Sequence, residues 1–280
     1  MSLIELERIS IYRGKRELLR DVSFTVDAGE FVVMIGPNGV GKSSLLEVVT
    51  GDLPHQSGQL QLFGTALSDW PLDQLALRRA VMRQSIKLEL PFTVGEVVMM
   101  GRAPHIQKRR YSEDRSICHQ ALKMVDLCGF TERIYTELSG GEQRRVQLAR
   151  VLAQVWTSEL MESDHHSEST SESISSTARP NLLLLDEPIA NLDLEAQHRF
   201  MSCVQRFTRV GGGALCVVHD LNIAAQYASR VIVFGDHQLL ADGTPAQTLT
   251  PELIGHIFRV QARCFHIEGL DYPIITTQAR

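Results

Sequence analysis

No stretch of this 280-residue chain approaches the roughly 18 consecutive apolar residues that a membrane-spanning helix needs. Its purest apolar runs are short and lie at residues 31–35, 182–185 and 231–234. The opening MSLIELERIS carries acids where a secretory leader has an unbroken apolar core, so no leader is expected. Cysteine is sparse and unpatterned. The five residues, Cys118, Cys128, Cys203, Cys216 and Cys264, are odd in number and show no CxxC or Cys/His ligand spacing. Reduced thiols in a cytoplasm are therefore expected rather than a disulfide framework. An excess of positive charge is missing too. A net charge of −5 gives no global attraction to nucleic acid or anionic lipid, so attachment to a membrane has to come from a partner protein.

What is present suits a globular chain. Hydrophobic residues make up 44% of it, enough for one generous core or two modest lobes. Alternation at residues 3–7 and 22–26 predicts half-buried strands, and 30–35 a fully buried strand that runs into a glycine-rich loop and a helix-prone segment. Residues 59–63 and 80–84 predict further strands. The middle is predicted to be helical: Thr93 and Glu96 form a capping-box pair, an apolar pattern follows Ser112, and helix signals return after Leu138 and run to Trp156. Strands are predicted again at 182–186, 215–218 and 231–234, with a helix over 194–207. Strands alternating with helices predict a largely parallel sheet in the first and last thirds, with the helical middle as an inserted lobe. The stretch 157–177 is crowded with Ser and Glu and reads as a disordered surface loop. Its neighbouring His165 and His166 are an alternative metal site, against which stands the lack of a further ligand at metal spacing.

Three motifs carry chemistry. Gly36-Pro37-Asn38-Gly39-Val40-Gly41-Lys42-Ser43 fits GxxxxGK[ST] and lies between a predicted strand and a predicted helix, the context this phosphate loop requires. Its glycines let backbone N–H groups turn toward phosphates, Lys42 adds a point charge, and the Ser43 hydroxyl can ligate Mg²⁺. The helix that follows offers its positive end. Leu182-Leu183-Leu184-Leu185-Asp186-Glu187 is an apolar strand ending in two acids. Asp186 is expected to hold Mg²⁺ through water, and Glu187 to orient or deprotonate the attacking water. Leu138-Ser139-Gly140-Gly141-Glu142-Gln143 contains a capping box between Ser139 and Glu142, but the cap does not explain two consecutive glycines. They leave bare N–H groups at a helix start, ready for an anion.

In this order the three motifs resemble the nucleotide-binding subunits of ABC transporters, over nearly the whole chain. LSGGEQRRVQLAR is similar to the family signature. The resemblance implies the α/β fold of a P-loop NTPase (ABC ATPase), with a mostly parallel core sheet, an N-terminal antiparallel β part and an inserted helical subdomain. It divides a single nucleotide-binding domain, 1–280, into a core (1–84 and 181–260), a helical subdomain (85–156), a Ser/Glu-rich insertion (157–180) and a tail (261–280). It implies ATP and Mg²⁺ as cofactors. Tyr12 matches the aromatic that stacks on adenine, with an ordinary strand aromatic as the alternative. Gln84 matches the glutamine that senses the γ-phosphate and Mg²⁺ near the membrane partner. Asp193, in Ala190-Asn191-Leu192-Asp193, belongs to the loop that crosses between subunits, and His219 matches the histidine that contacts the γ-phosphate. Ser44 stands where Thr is commoner, and Ile189 and Asn191 replace smaller residues. The Ser/Glu-rich stretch makes the spacing before the catalytic strand longer than is usual.

In this family two subunits face head to tail, each ATP lying between Lys42 of one copy and Ser139 of the other. The expected partners are a second copy, a transmembrane permease dimer and, indirectly, a periplasmic binding protein, at the cytoplasmic face of the bacterial inner membrane, with no nucleic acid. Residues 92–98 and Gly101-Arg102-Ala103-Pro104-His105 resemble importers of haem, iron-siderophores and vitamin B12, with the haem importer ATPases nearest. Ferric siderophore or cobalamin import is the alternative cargo. A soluble ABC protein of ribosomes or DNA is disfavoured by the single motif set and the lack of sustained heptads. A binding module without turnover is disfavoured by Glu187 and His219.

Overall fold

Alternate residues of the central strands bury on opposite sides, and that alternation builds two cores around one sheet. The computed structural model describes residues 1–84, 88–108, 111–156 and 180–279. The Ser/Glu-rich stretch with His165 and His166 lies outside the described residues. Along the chain the strands are β1 (Ser2–Arg13), β2 (Arg16–Asp27), β3 (Phe31–Ile35), β4 (Ser57–Leu62), β5 (Thr65–Ala66), β6 (Arg79–Met82), β7 (Leu182–Asp186), β8 (Gly213–Val217), β9 (Arg230–Gly235), β10 (Gln238–Gly243), β11 (Val260–Phe265) and β12 (Ile274–Ala279).

The main sheet has the order β10-β9-β3-β8-β7-β6. Its five inner and right-hand members, β9, β3, β8, β7 and β6, run parallel, and only β10 returns antiparallel beside β9. Strands covered on both faces read as continuous apolar runs, which is why 182–185 and 231–234 show no polar alternation. Phe31, Val33 and Ile35 of β3, Leu183 and Leu185 of β7, and Val231 and Val233 of β9 enter the core shared with the helices. Val32 and Met34, Leu182 and Leu184, and Ile232 and Phe234 enter the other core, under the antiparallel sheet β2-β1-β4-β5. Each such core side chain contributes on the order of 2–5 kcal/mol against truncation to Ala.

The helical middle comprises Val94–Met100, Tyr111–Met124 and Gly140–Gln154. The expected capping box at Thr93 is present, its side chain accepting from Glu96 N–H while the Glu96 carboxylate accepts from Thr93 N–H. The parallel core, the antiparallel β part and the helical segment all follow the sequence expectation. Among the described residues, elements that escaped it include the edge strand β10, the β11–β12 hairpin, and the short helices Leu72–Ala76, Leu221–Tyr227, Pro245–Thr248 and Pro251–Phe258. The helices are too short, at four to eight residues, to show more than about two turns of apolar periodicity.

Candidate functional site

Parallel strands place all their carboxyl ends on one edge, and in open α/β sheets that edge is where ligands bind. Here β3, β8, β7 and β6 are consecutive neighbours. Their C-terminal ends deliver, in turn, the loop from Gly36 to Lys42, then His219, then Asp186 with Glu187, and then Gln84. Residues separated by as many as 183 positions in sequence thus meet through strand order alone.

The phosphate loop is tightly specified. Gly36 has φ +151°, and a Cβ there would lie 2.4 Å from the Phe234 carbonyl oxygen, so no side chain fits. The helix Lys42–Thr50 begins with Gly41, without a side-chain cap and without an acid in its first turn, so nothing internal neutralises its positive end. Lys42 is 5% exposed. Its Nζ donates to the Gly36 carbonyl at 2.7 Å and the Pro37 carbonyl at 3.0 Å, holding the ammonium inside the loop. Burial pushes its pKa down, opposed by the charges of Glu187 and Asp186. Ser43 Oγ donates to Asp186 Oδ1 at 3.0 Å. Burial raises the Asp186 pKa, the Ser43 hydrogen bond working against it. Both shifts mark charges held in place at a cost, and a bound polyanion with its cation would relieve both.

Glu187 sits in the left-handed region at φ 45°, a conformation that costs a non-glycine residue of order 1 kcal/mol and concentrates at functional sites. Both its carboxylate oxygens are occupied. Oε1 accepts from His219 Nε2 at 2.7 Å and Oε2 from Gln84 Nε2 at 2.7 Å. Together with Arg13, Arg16, Asn38 and Lys42, Glu187, Gln84 and His219 line a cleft of about 580 Å³. Gly39, Gly41, Ser43 and Ser44 complete its loop wall. The oxygen-donor set of Ser43, Asp186 and Gln84 beside this wall is of the hard type that suits Mg²⁺.

Other predicted residues lie elsewhere. Tyr12 is on the β1–β2 hairpin, its OH donating to Glu17 Oε1 at 3.2 Å; the cleft is lined by its neighbours Arg13 and Arg16. Those two arginines escaped sequence reasoning, although the compact Arg13-Gly14-Lys15-Arg16 turn was the available signal. Ser139 caps the helix Gly140–Gln154, accepting from Glu142 N–H, and the Glu142 carboxylate accepts from both the Ser139 backbone N–H at 2.8 Å and its hydroxyl at 2.7 Å. Gly140 borders a smaller cavity of about 230 Å³ beside Gln84, and Gly141 packs near Leu192. Arg144 of the same helix donates to the backbone carbonyls of Arg83 and Gln84. Asp193 caps the helix Leu194–Arg209, accepting from Ala196 N–H at 2.8 Å. Ser139, Gly140 and Gly141 are not among the residues that line the phosphate-loop cleft, and Gln84 borders both that cleft and the cavity at Gly140.

Fold and phosphate loop together define a P-loop α/β protein. The family model "ABC transporter" matches residues 19–157. A hemin import ATP-binding protein HmuV from Plesiomonas shigelloides is 40% identical over 261 residues, covering 93% of this chain and 96% of the relative. Another hemin import ATP-binding protein HmuV, from Myxococcus xanthus, is 37% identical and covers 99% of this chain and 97% of its own length. A solved metal-chelate type ABC transporter in an inward-facing conformation shares the fold with a TM-score of 0.77 at 19% identity, covering 100% of this chain and 99% of that one. The ADP conformation of an ATP-binding cassette of an ABC transporter gives 0.74 at 23% identity, covering 92% and 99%. The chain belongs to the ABC transporter ATP-binding family and is an ATPase of that family.

Proposed function

We propose that this chain energises hemin import: it is the ATP-hydrolysing subunit of an ABC importer and works through a transmembrane permease. The observation that carries the enzymatic half is the single cleft shared by Lys42, Glu187, Gln84 and His219. The identity of the cargo leans on the relatives' names over almost their full length.

In this reading Lys42 and the loop N–H groups of Gly39, Val40 and Gly41 bind the β- and γ-phosphates of ATP. Ser43, Asp186 and Gln84 would hold Mg²⁺, which would supply neutralisation of the phosphate charge. Glu187 orients the attacking water and takes its proton. Each Glu187 oxygen accepts a single hydrogen bond from the chain, which leaves a lone pair on each for the water. His219 keeps Oε1 aligned and faces the γ-phosphate. Arg13 and Arg16 extend the positive wall on the hairpin side, beside Tyr12, which contributes its ring to the adenine.

The second half of each site comes from another copy. Ser139, with the bare N–H groups of Gly140 and Gly141, closes on the γ-phosphate across a head-to-tail homodimer, and Asp193 lies at the crossing loop. A charged triphosphate holds two bodies together only while its γ-phosphate persists, so binding closes the dimer and hydrolysis reopens it. Among the described residues no helix is long and apolar enough to cross a membrane. The permease therefore supplies the membrane attachment, at its cytoplasmic side. An exposed groove of about 670 Å³ on the helical segment, with Met99, Met100, Ile106 and Tyr111 in its lining, is the seat we assign to it. A periplasmic binding protein supplies cargo from the far side.

Reconstitution with the permease in proteoliposomes tests the reading. Hemin is expected to raise ATP turnover and to accumulate, whereas a ferric siderophore and cobalamin do neither. Stimulation by cobalamin alone would reassign the cargo and leave the ATPase intact.

A further inference from the structure

The segment Gly101-Arg102-Ala103-Pro104-His105 entered the sequence analysis only as a family marker, and the chemistry of the cleft makes no use of it. In the fold it has a specific mechanical position. A helix leaves its last carbonyls without intrahelical partners, and cationic or imidazole side chains can satisfy them. The helix Gly140–Gln154, which carries Ser139 at its start, ends against this segment. Arg102 Nη1 donates to the Ala153 carbonyl at 2.6 Å, and His105 Nε2 donates to the Gln154 carbonyl at 2.8 Å. The next carbonyl, of Val155, accepts from Asn181 Nδ2 at 3.0 Å, immediately before β7.

The attachment is rigid. Arg102 also donates through Nε to Asp114 Oδ1 at 2.8 Å, and the two side chains are 8% and 4% exposed. One planar guanidinium thus joins the neighbouring helix Tyr111–Met124 to the end of the signature helix, which an ammonium on a flexible stem does not do with the same geometry. At Gly101 a Cβ would lie 2.2 Å from the Arg150 carbonyl oxygen, so the turn presses its backbone directly on the signature helix. On its other side, the same turn forms part of the groove. Met99, Met100, Arg102, Ala103 and Ile106 line it, with Arg115 opposite. Gln154 closes the circuit by donating through Nε2 to the carbonyls of Ala76 and Arg79, at the start of the strand β6 that leads to Gln84.

We propose that the 101–105 turn is the transmission element between the groove and the composite ATP site. Force applied in the groove reaches the carboxyl end of the signature helix through Arg102 and His105, and the helix carries it to Ser139. Both are positioning residues. The proposal rests on the reading that the permease occupies the groove, and the experiment separates the two.

His105 is the informative position, because it is not part of the groove lining and touches neither nucleotide nor Glu187. The complex of the full chain with the permease that co-purifies in mild detergent is placed in proteoliposomes, and ATP turnover is measured with and without permease. His105→Ala is expected to co-purify with the permease and to keep the turnover of the isolated subunit, while stimulation by the permease and hemin uptake fall about fivefold or more. His105→Gln, whose amide can again donate to the Gln154 carbonyl, is expected to restore stimulation. Full stimulation in His105→Ala overturns the proposal, as does equal loss in both variants, loss of isolated-subunit turnover, or failure of His105→Ala to fold. Met100→Glu puts a charge in the groove and is expected to abolish co-purification. If it retains the permease, the docking reading itself falls, independently of the His105 result.

Discussion

At the level of single residues, the site is built from charges in unfavourable places. Asp186 has its pKa raised by burial, so the folded state holds its proton more tightly than the unfolded chain does. The sign follows: the charged form weakens the nucleotide-free fold above the raised pKa, and this penalty fades as pH falls through it. Asp186→Asn keeps an acceptor for the Ser43 hydroxyl and removes the charge. We expect it to raise the thermal midpoint of the nucleotide-free chain at neutral pH by about 2 °C or more, as calorimetry would read, while ATP turnover disappears. A lowered midpoint would show that the carboxylate is stabilising where it stands. Glu187→Gln retains the shape of its contacts and loses the base. Turnover should drop by about 10²–10⁴-fold with ATP binding intact, measured by equilibrium binding beside a phosphate-release assay. Near-normal turnover would remove Glu187 from the role given to it.

Elements carry the second layer of constraint, and here one residue can serve two purposes. Ser139 is a helix cap in the isolated chain and, in the proposed dimer, a phosphate contact. Two substitutions separate these. Ser139→Ala loses the cap and should cost about 1 kcal/mol of stability in a denaturant titration. Ser139→Asn can accept from Glu142 N–H and donate its amide to the Glu142 carboxylate, so stability should be retained, yet it removes the hydroxyl proposed to face the γ-phosphate and should weaken ATP-dependent association. An asparagine variant that associates normally would leave Ser139 as a cap alone. At the phosphate loop, Gly36→Ala brings a Cβ against the Phe234 carbonyl of β9, so the strand and loop must part. We expect a destabilisation of about 1–3 kcal/mol or more with loss of nucleotide binding.

For the whole molecule, one chain offers two unlike surfaces, the phosphate-loop cleft and the capped start of the signature helix. Neither surrounds a triphosphate by itself. Light scattering on Glu187→Gln should therefore show a monomer without nucleotide and a dimer with saturating ATP and Mg²⁺. A monomer under both conditions would contradict the head-to-tail arrangement. The two-core construction makes the sheet a frame to which the helical segment is joined through one shared core. Strands β3, β7, β8 and β9 are buried on both faces, whereas the groove on the helical segment is open to a partner.

Much of this was legible in the chain itself. The GxxxxGK[ST] loop, the strand that ends Asp186-Glu187 and the Ser139–Glu142 box are local patterns, set by backbone freedom, apolar burial and capping over a few residues, and each takes its expected secondary structure. The β11–β12 hairpin and the edge strand β10 were not read from the sequence: β11 does alternate, with Val260, Ala262 and Cys264 against Gln261 and Arg263, but its inward residues are mostly small and its partner β12 is half polar. The cleft itself required the tertiary structure. Only strand order sets His219, Asp186, Glu187 and Gln84 side by side, and only the hairpin's placement brings Arg13 and Arg16 to the cleft wall, next to the Tyr12 that the sequence singled out. The same holds for the bonds from Arg102 and His105 to the end of the signature helix, which span 51 and 49 residues. Short-range patterns are encoded where they act, whereas contacts at such separations depend on how a whole sheet and its helices pack, which no local window contains.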